Sequence, residues 1–245
     1  MNKYLVMIPT YNERDSIKAI IEGIDASHLI LVIDDNSPDK TADYVKSLNL
    51  SNVDILRRDK KDGLGNAYKA GIKYALQNPE ITHLVSMDAD RSHQPIDLIK
   101  LIEKSDANPD ATLIMGSRWI PGGAIVNWPT LRKWISKTGT WYARWALKLL
   151  INDLTGGFRI YSRKALEEID LDQVTSNGYC YQIEMAFAIS HLHGQIIEVP
   201  ITFIEREQGV SKMSQRIVLE AMLKVTKLGV GLRLNPTADK LHYVK

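Results

Sequence analysis

Two carboxylates one residue apart, Asp88 and Asp90, follow the apolar run Leu84-Val85-Ser86-Met87. On a chain leaving extended geometry, both can reach one hard divalent cation, and oxygen donors of this kind suit Mg²⁺ or Mn²⁺. Such a cation would neutralise a leaving diphosphate. An Asp-x-Asp alone is common, and a surface loop explains it equally well; the apolar run before it is what gives it weight. His93 lies close by, but with Pro95 opening a helix it reads as a capping or packing residue rather than a further ligand. Two more polar clusters end apolar runs: Pro9, Thr10, Tyr11, Asn12 and Glu13 in one, Asp34, Asp35, Asn36 and Ser37 in the other. Any one of them reads equally as turn formers and helix caps. Carboxylates gathered at one edge, however, repel each other unless a cation or hydrogen-bond donors compensate, so three clusters at corresponding places indicate a site.

The elements needed to gather them are visible as alternation. Residues 4–8, 29–33, 53–56, 83–87 and 112–115 read as buried strands, and residues 13–26, 38–48, 64–77 and 95–104 as helices between them. This order predicts an α/β fold with a mainly parallel sheet flanked by helices. In such sheets ligands bind beyond the carboxyl ends of the strands, where all three clusters fall. Ser37 followed by Pro38 reads as a helix start. Beyond Gly116 the pattern changes to a Gly/Pro loop and a Trp-rich helix. A short strand at 158–161, a helix at 181–191, a strand at 196–203 and a helix at 215–228 follow.

Composition narrows the function. The 245 residues, 44% of them hydrophobic, can bury a sizeable core and stay within the size of one domain, with 1–118 as a nucleotide-binding half and 119–245 as the acceptor side. A net charge of +2 lacks the basic excess of a nucleic-acid binder, so no nucleic-acid partner is expected. One cysteine, Cys180, excludes an intramolecular disulfide and fits a reducing compartment. The N-terminal apolar run meets Pro9 and Asn12 too soon for a signal peptide. No stretch reaches the roughly 18 to 20 apolar residues of a membrane span, so membrane work would be done from one face.

The segment 125–151 holds Trp128, Trp134, Trp141 and Trp145 interleaved with Arg132, Lys133, Lys137, Arg144 and Lys148. On a helical projection Leu131, Trp134, Ile135, Thr138, Trp141, Tyr142, Trp145 and Leu149 share one broad face. That face suits a helix lying at a membrane–water boundary, and equally one packing its rings on the protein's own core.

Several strings together resemble dolichyl or polyprenyl phosphate mannose synthases. They are IPTYNE at 8–13, IDDNSPDKT at 33–41, GLGNAY at 63–68, MDADRSHQP at 87–95, GSR at 116–118, DLTGGFRIY at 153–161 and VPITFIEREQGVSK at 199–212. In this order they cover nearly the whole chain. The resemblance implies a GT-A fold over a single glycosyltransferase domain, GDP-mannose as donor, Mg²⁺ or Mn²⁺, and a polyprenyl phosphate in a membrane as acceptor. By the same resemblance Pro9, Tyr11, Glu13, Ile33 and Asp35 would hold the guanosine end of the donor, and Asp88, Ala89 and Asp90 its diphosphate through the metal. Arg118, Arg132, Arg206 and Lys212 would handle phosphate, with Ser136 one helical turn after Arg132. Ser92 stands where some relatives carry a metal-binding Gln, a ligand that water would replace.

An acceptor phosphate is already ionised near neutral pH and attacks the anomeric carbon without a protein base. Direct displacement would invert an α-linked donor into a β-linked lipid phosphate sugar. These expectations put the protein in the cytoplasm, peripheral on the cytoplasmic membrane face, with a separate membrane-anchoring subunit as a candidate partner. Two rivals are a transferase moving glucose from UDP-glucose to undecaprenyl phosphate, and a non-catalytic nucleotide-sugar or lipid-binding module.

Overall fold

A computed structural model describes residues 2–205, 215–235 and 242–245. The first part is the expected alternation. Strands β1 (Tyr4–Thr10), β2 (Leu29–Asp34), β3 (Val53–Arg57), β4 (His83–Ser86) and β5 (Ala111–Ser117) alternate with helices α1 (Arg14–Gly23), α2 (Thr41–Ser47), α3 (Leu64–Ala75) and α4 (Pro95–Asp106). Helices cover both sheet faces, so the inner strands are apolar on both sides. Along β1, Tyr4, Val6 and Ile8 enter one core with α1 and α4, while Leu5 and Met7 enter the other with α3.

The second part adds β6 (Ala124–Val126), α5 (Thr130–Leu147), β7 (Arg159–Ser162), α6 (Arg163–Glu168), α7 (Gly178–Ile189), β8 (Gln195–Pro200), β9 (Thr202–Ile204) and α8 (Gln215–Leu234). One seven-stranded sheet runs β3-β2-β1-β4-β7-β5-β8, and β6 pairs with β9 in a small second sheet. The large sheet therefore draws strands from both sides of residue 118. It is parallel except for β7, which runs antiparallel to both β4 and β5. The strand read as 196–203 divides at Ile201 into β8 and β9.

Placement of the site follows from β1. From it the chain winds outward one way through β2 and β3, then returns to pair β4 on its other side. That reversal opens a crevice at the carboxyl ends of β1 and β4. Because β7 is antiparallel, its amino end, Gly157 and Phe158, arrives at the same edge.

One predicted helix start is corrected. Pro38 and Asp39 form a turn, Lys40 is left-handed at φ 61°, and α2 begins at Thr41. Ser37 is unavailable as a cap because its hydroxyl donates to Asp34 Oδ1 at 2.5 Å and accepts from Asn12 N at 3.1 Å. The N-cap position falls to Lys40, and Asp39 just before it accepts from Thr41 N at 2.9 Å.

Candidate active site

The crevice is a cavity of about 350 Å³. Pro9, Tyr11 and Glu13 from the end of β1, Asp35 from β2, and Asp88, Ala89 and Asp90 from β4 line it, together with Arg118, Trp128, Arg132, Phe203 and Glu205 from the later chain. Most of the residues singled out from sequence thus converge. Ile33 does not: it is wholly buried against the position of Gly71 in α3, because β2 buries both faces here. Ser136 lies on α5 a turn beyond Arg132, buried, 3.4 Å from the cavity residue Thr155. Arg206 and Lys212 lie outside the described residues.

The polar cluster after β2 divides its labour. Asp34 holds the turn, accepting from Ser37 N at 3.0 Å and from Thr10 Oγ1 at 3.2 Å, which is the ordinary turn-former role. Asp35 faces the cavity. Burial raises its carboxyl pKa above the usual range, while Arg58, at 2.7 Å, opposes the shift. Across from it the Lys61 ammonium sits 3.9 Å from the centre of the Tyr11 ring, a cation–π contact absent from the sequence reading.

Asp88 and Asp90 flank a fixed turn. Asp88 N donates to His93 Nδ1 at 3.0 Å, Ser92 N donates to Asp90 Oδ1 at 3.1 Å, and Ser16 Oγ holds Ala89 O at 2.7 Å. His93 packs as expected: it is buried and stacks on Phe158 with centroids 4.6 Å apart. Burial lowers its pKa, with Asp88 and Asp90 opposing, which favours the neutral imidazole that accepts the Asp88 amide. No group of three or more acidic, His or Cys residues suited to a metal occurs among the described residues. Two carboxylates are still a fitting donor set, since Mg²⁺ sites commonly combine one or two carboxylates with substrate phosphates and waters.

The basic wall is built differently from its sequence reading. Arg118 is 5% exposed and clamped by Asp153, with Nε to Oδ2 at 2.6 Å and Nη2 to Oδ1 at 2.7 Å. Its guanidinium lies 5.1 Å from the Trp128 ring centre and 5.3 Å from that of Phe203. Burial raises the Asp153 pKa, but the charge and hydrogen bonds of Arg118 outweigh it and hold the carboxyl below the usual range. Asp153 is in turn fixed through its amide by Glu198 Oε1 at 3.0 Å. Arg132 stacks 4.0 Å from the Trp128 ring centre and is ion-paired with Glu205. Asp153, Glu198 and Glu205 were not singled out from sequence; Asp153 and Glu205 lie in quoted strings, but pairings between distant segments leave no local spacing.

A profile of the family described as "Glycosyl transferase family 2" matches residues 5–170, and the chain belongs to that family. The polyprenol monophosphomannose synthase of Mycolicibacterium smegmatis is 44% identical over 238 residues, covering 94% of this chain and 88% of that protein. The undecaprenyl-phosphate mannosyltransferase of Micrococcus luteus is 45% identical over 237 residues, covering 94% and 96%. Among solved structures, the glucosyl-3-phosphoglycerate synthase of Mycobacterium tuberculosis with Mn²⁺, UDP-glucose and phosphoglyceric acid superposes at a TM-score of 0.69. It is 15% identical and covers 95% of this chain and 79% of that one. That likeness is one of fold, and it meets the expected GT-A architecture.

Proposed function

We propose that this chain transfers mannose from GDP-mannose to a polyprenyl phosphate, as one domain over residues 1–245. The observation that carries the reading is the cavity itself, lined by both the paired carboxylates Asp88 and Asp90 and the guanidinium groups of Arg118 and Arg132. The names of the two relatives supply the sugar and the acceptor class. Pro9, Tyr11, Glu13 and Asp35 would receive the nucleoside. Asp88 and Asp90 would hold Mg²⁺ or Mn²⁺, whose charge neutralises the leaving diphosphate.

The remaining work belongs to the chain. Arg132, Ser136 and Arg118 orient the acceptor phosphate, and the family resemblance assigns Arg118, Arg206 and Lys212 to the donor's phosphates as well as to this anion. An acceptor oxygen, already ionised, forms the new bond to the anomeric carbon as the bond to GDP breaks, which inverts that carbon. Preorganised positive charge, rather than proton transfer, lowers this barrier.

Access to a lipid acceptor is supported by the exposed aromatic face of α5, where Trp134, Trp141 and Trp145 stand in solvent; no helix among the described residues is long and apolar enough to cross a membrane. We propose that the protein works on the cytoplasmic face of the membrane, with a separate anchoring subunit as a candidate partner. Purified protein incubated with GDP-mannose, Mn²⁺ or Mg²⁺ and a polyprenyl phosphate should yield a mannosylated lipid phosphate. Product from UDP-glucose but none from GDP-mannose would overturn the donor assignment.

A further inference from the structure

Gln182 is a buried amide whose polar atoms, Nε2 and Oε1, find no hydrogen-bond partner among the described residues. It lies in the second turn of α7, is 2% exposed and lines the cavity. Native interiors rarely tolerate an unmet amide, because it forfeits its hydration without compensation.

The position of Gln182 is enforced from behind. Arg159, wholly buried, donates Nη1 to Gln182 O at 2.7 Å, Nε to Gly156 O at 2.9 Å and Nη2 to Leu154 O at 2.9 Å. One guanidinium thus ties α7 to the loop that carries Gly157. In front, Gly157 keeps a lane open: a Cβ there would stand 3.3 Å from Gln182 Nε2 and 3.7 Å from Asp88 Oδ1. The amide therefore looks across a glycine toward the carboxylate assigned to the diphosphate.

We infer that Gln182 is a specificity residue that reads a hydroxyl of the donor hexose beside Asp88. This rests on the proposed nucleotide-sugar chemistry. A neutral amide offers both a donor and an acceptor, which matches a hydroxyl; an anion would call for the guanidinium groups of Arg118 and Arg132. The sugar of a nucleotide sugar follows directly on its diphosphate, so a group beside Asp88 is within its reach.

The test compares binding of GDP and GDP-mannose, each with Mn²⁺, by calorimetry in the wild type, Gln182→Leu and Gln182→Asn. Leucine keeps the volume and removes both polar atoms, while asparagine keeps the chemistry and shortens the reach. Both should weaken GDP-mannose by about tenfold or more and leave GDP unchanged, with the acceptor KM unmoved. Unchanged GDP-mannose binding, equal weakening of GDP and GDP-mannose in both variants, or a raised acceptor KM with unchanged GDP-mannose binding would each overturn the inference. If the wild type bound UDP-glucose in place of GDP-mannose, the donor reading would fail. The same comparison between UDP and UDP-glucose would then still decide the role of Gln182.

Discussion

A guanidinium with 5% exposure must find partners or destabilise the fold, and Arg118 finds its partners in Asp153 and Thr155. Neutralising Asp153 breaks this buried ion pair, which typically costs about 3–5 kcal/mol. Asp153→Asn should therefore lower the urea midpoint of unfolding by a corresponding amount, with little change in m; an unaltered midpoint would sink this account of the clamp. The pH dependence has a definite sign. Because the folded pKa of Asp153 is depressed, its contribution is complete above the unfolded carboxylate value near 3.9 and is lost as pH falls through the folded value. Sequence made both motifs visible, GSR at 116–118 and the string opening at Asp153. It did not reveal that the second clamps the first, since residues 35 apart meet only through the antiparallel insertion of β7.

Helix α5 had two faces that could have turned inward. The buried one carries Ser136, Thr140, Ala143, Ala146 and Leu147, while Trp134, Trp141 and Trp145 stay 65%, 69% and 61% exposed. Core packing of those rings, one of the two readings of the segment, is thereby ruled out. Small residues win because α8 crosses closely: a Cβ on Gly229 would stand 2.8 Å from Ala146 O. Tyr142 reaches Thr226 across the same contact at 2.6 Å. The pattern of rings and cations was legible in the sequence, but the choice of face was not, because a helix of bulky and small stripes leaves it to its neighbour. Helix α8, which packs on α5, carries further exposed apolar residues, Leu219, Leu223 and Leu234. Replacing Trp134, Trp141 and Trp145 with Ser should sharply reduce sedimentation with anionic liposomes while leaving the melting temperature nearly unchanged, since exposed rings contribute little to the core. Undiminished sedimentation of the folded variant would remove this face from any membrane role.

At the scale of the whole molecule, the net charge of +2 is too small to draw two anionic substrates together, so attraction must be local to the cavity. The sheet supplies carboxylates at the ends of β1, β2 and β4, and the later chain brings Arg132 on α5 against Glu205 just past β9. Arg132 is thus already neutralised by a carboxylate from a neighbouring segment. An incoming acceptor phosphate would have to share or displace Glu205, whereas the nucleotide meets neither residue if it occupies the β1 and β2 side. Arg132→Ala should then weaken acceptor use by about 1.5–3 kcal/mol, the worth of a charged hydrogen bond, and leave GDP affinity with Mn²⁺ unchanged. Glu205→Gln should act in the opposite direction, lowering the acceptor KM, because it releases the guanidinium without removing it. In the double variant Arg132→Ala/Glu205→Gln that gain should vanish, which ties it to the pair rather than to general charge. Steady-state kinetics with a short-chain polyprenyl phosphate, alongside calorimetry with GDP, would measure all three. A Glu205→Gln gain that survives loss of Arg132, or GDP binding that falls with acceptor use, would show that the two walls do not divide the substrates as proposed.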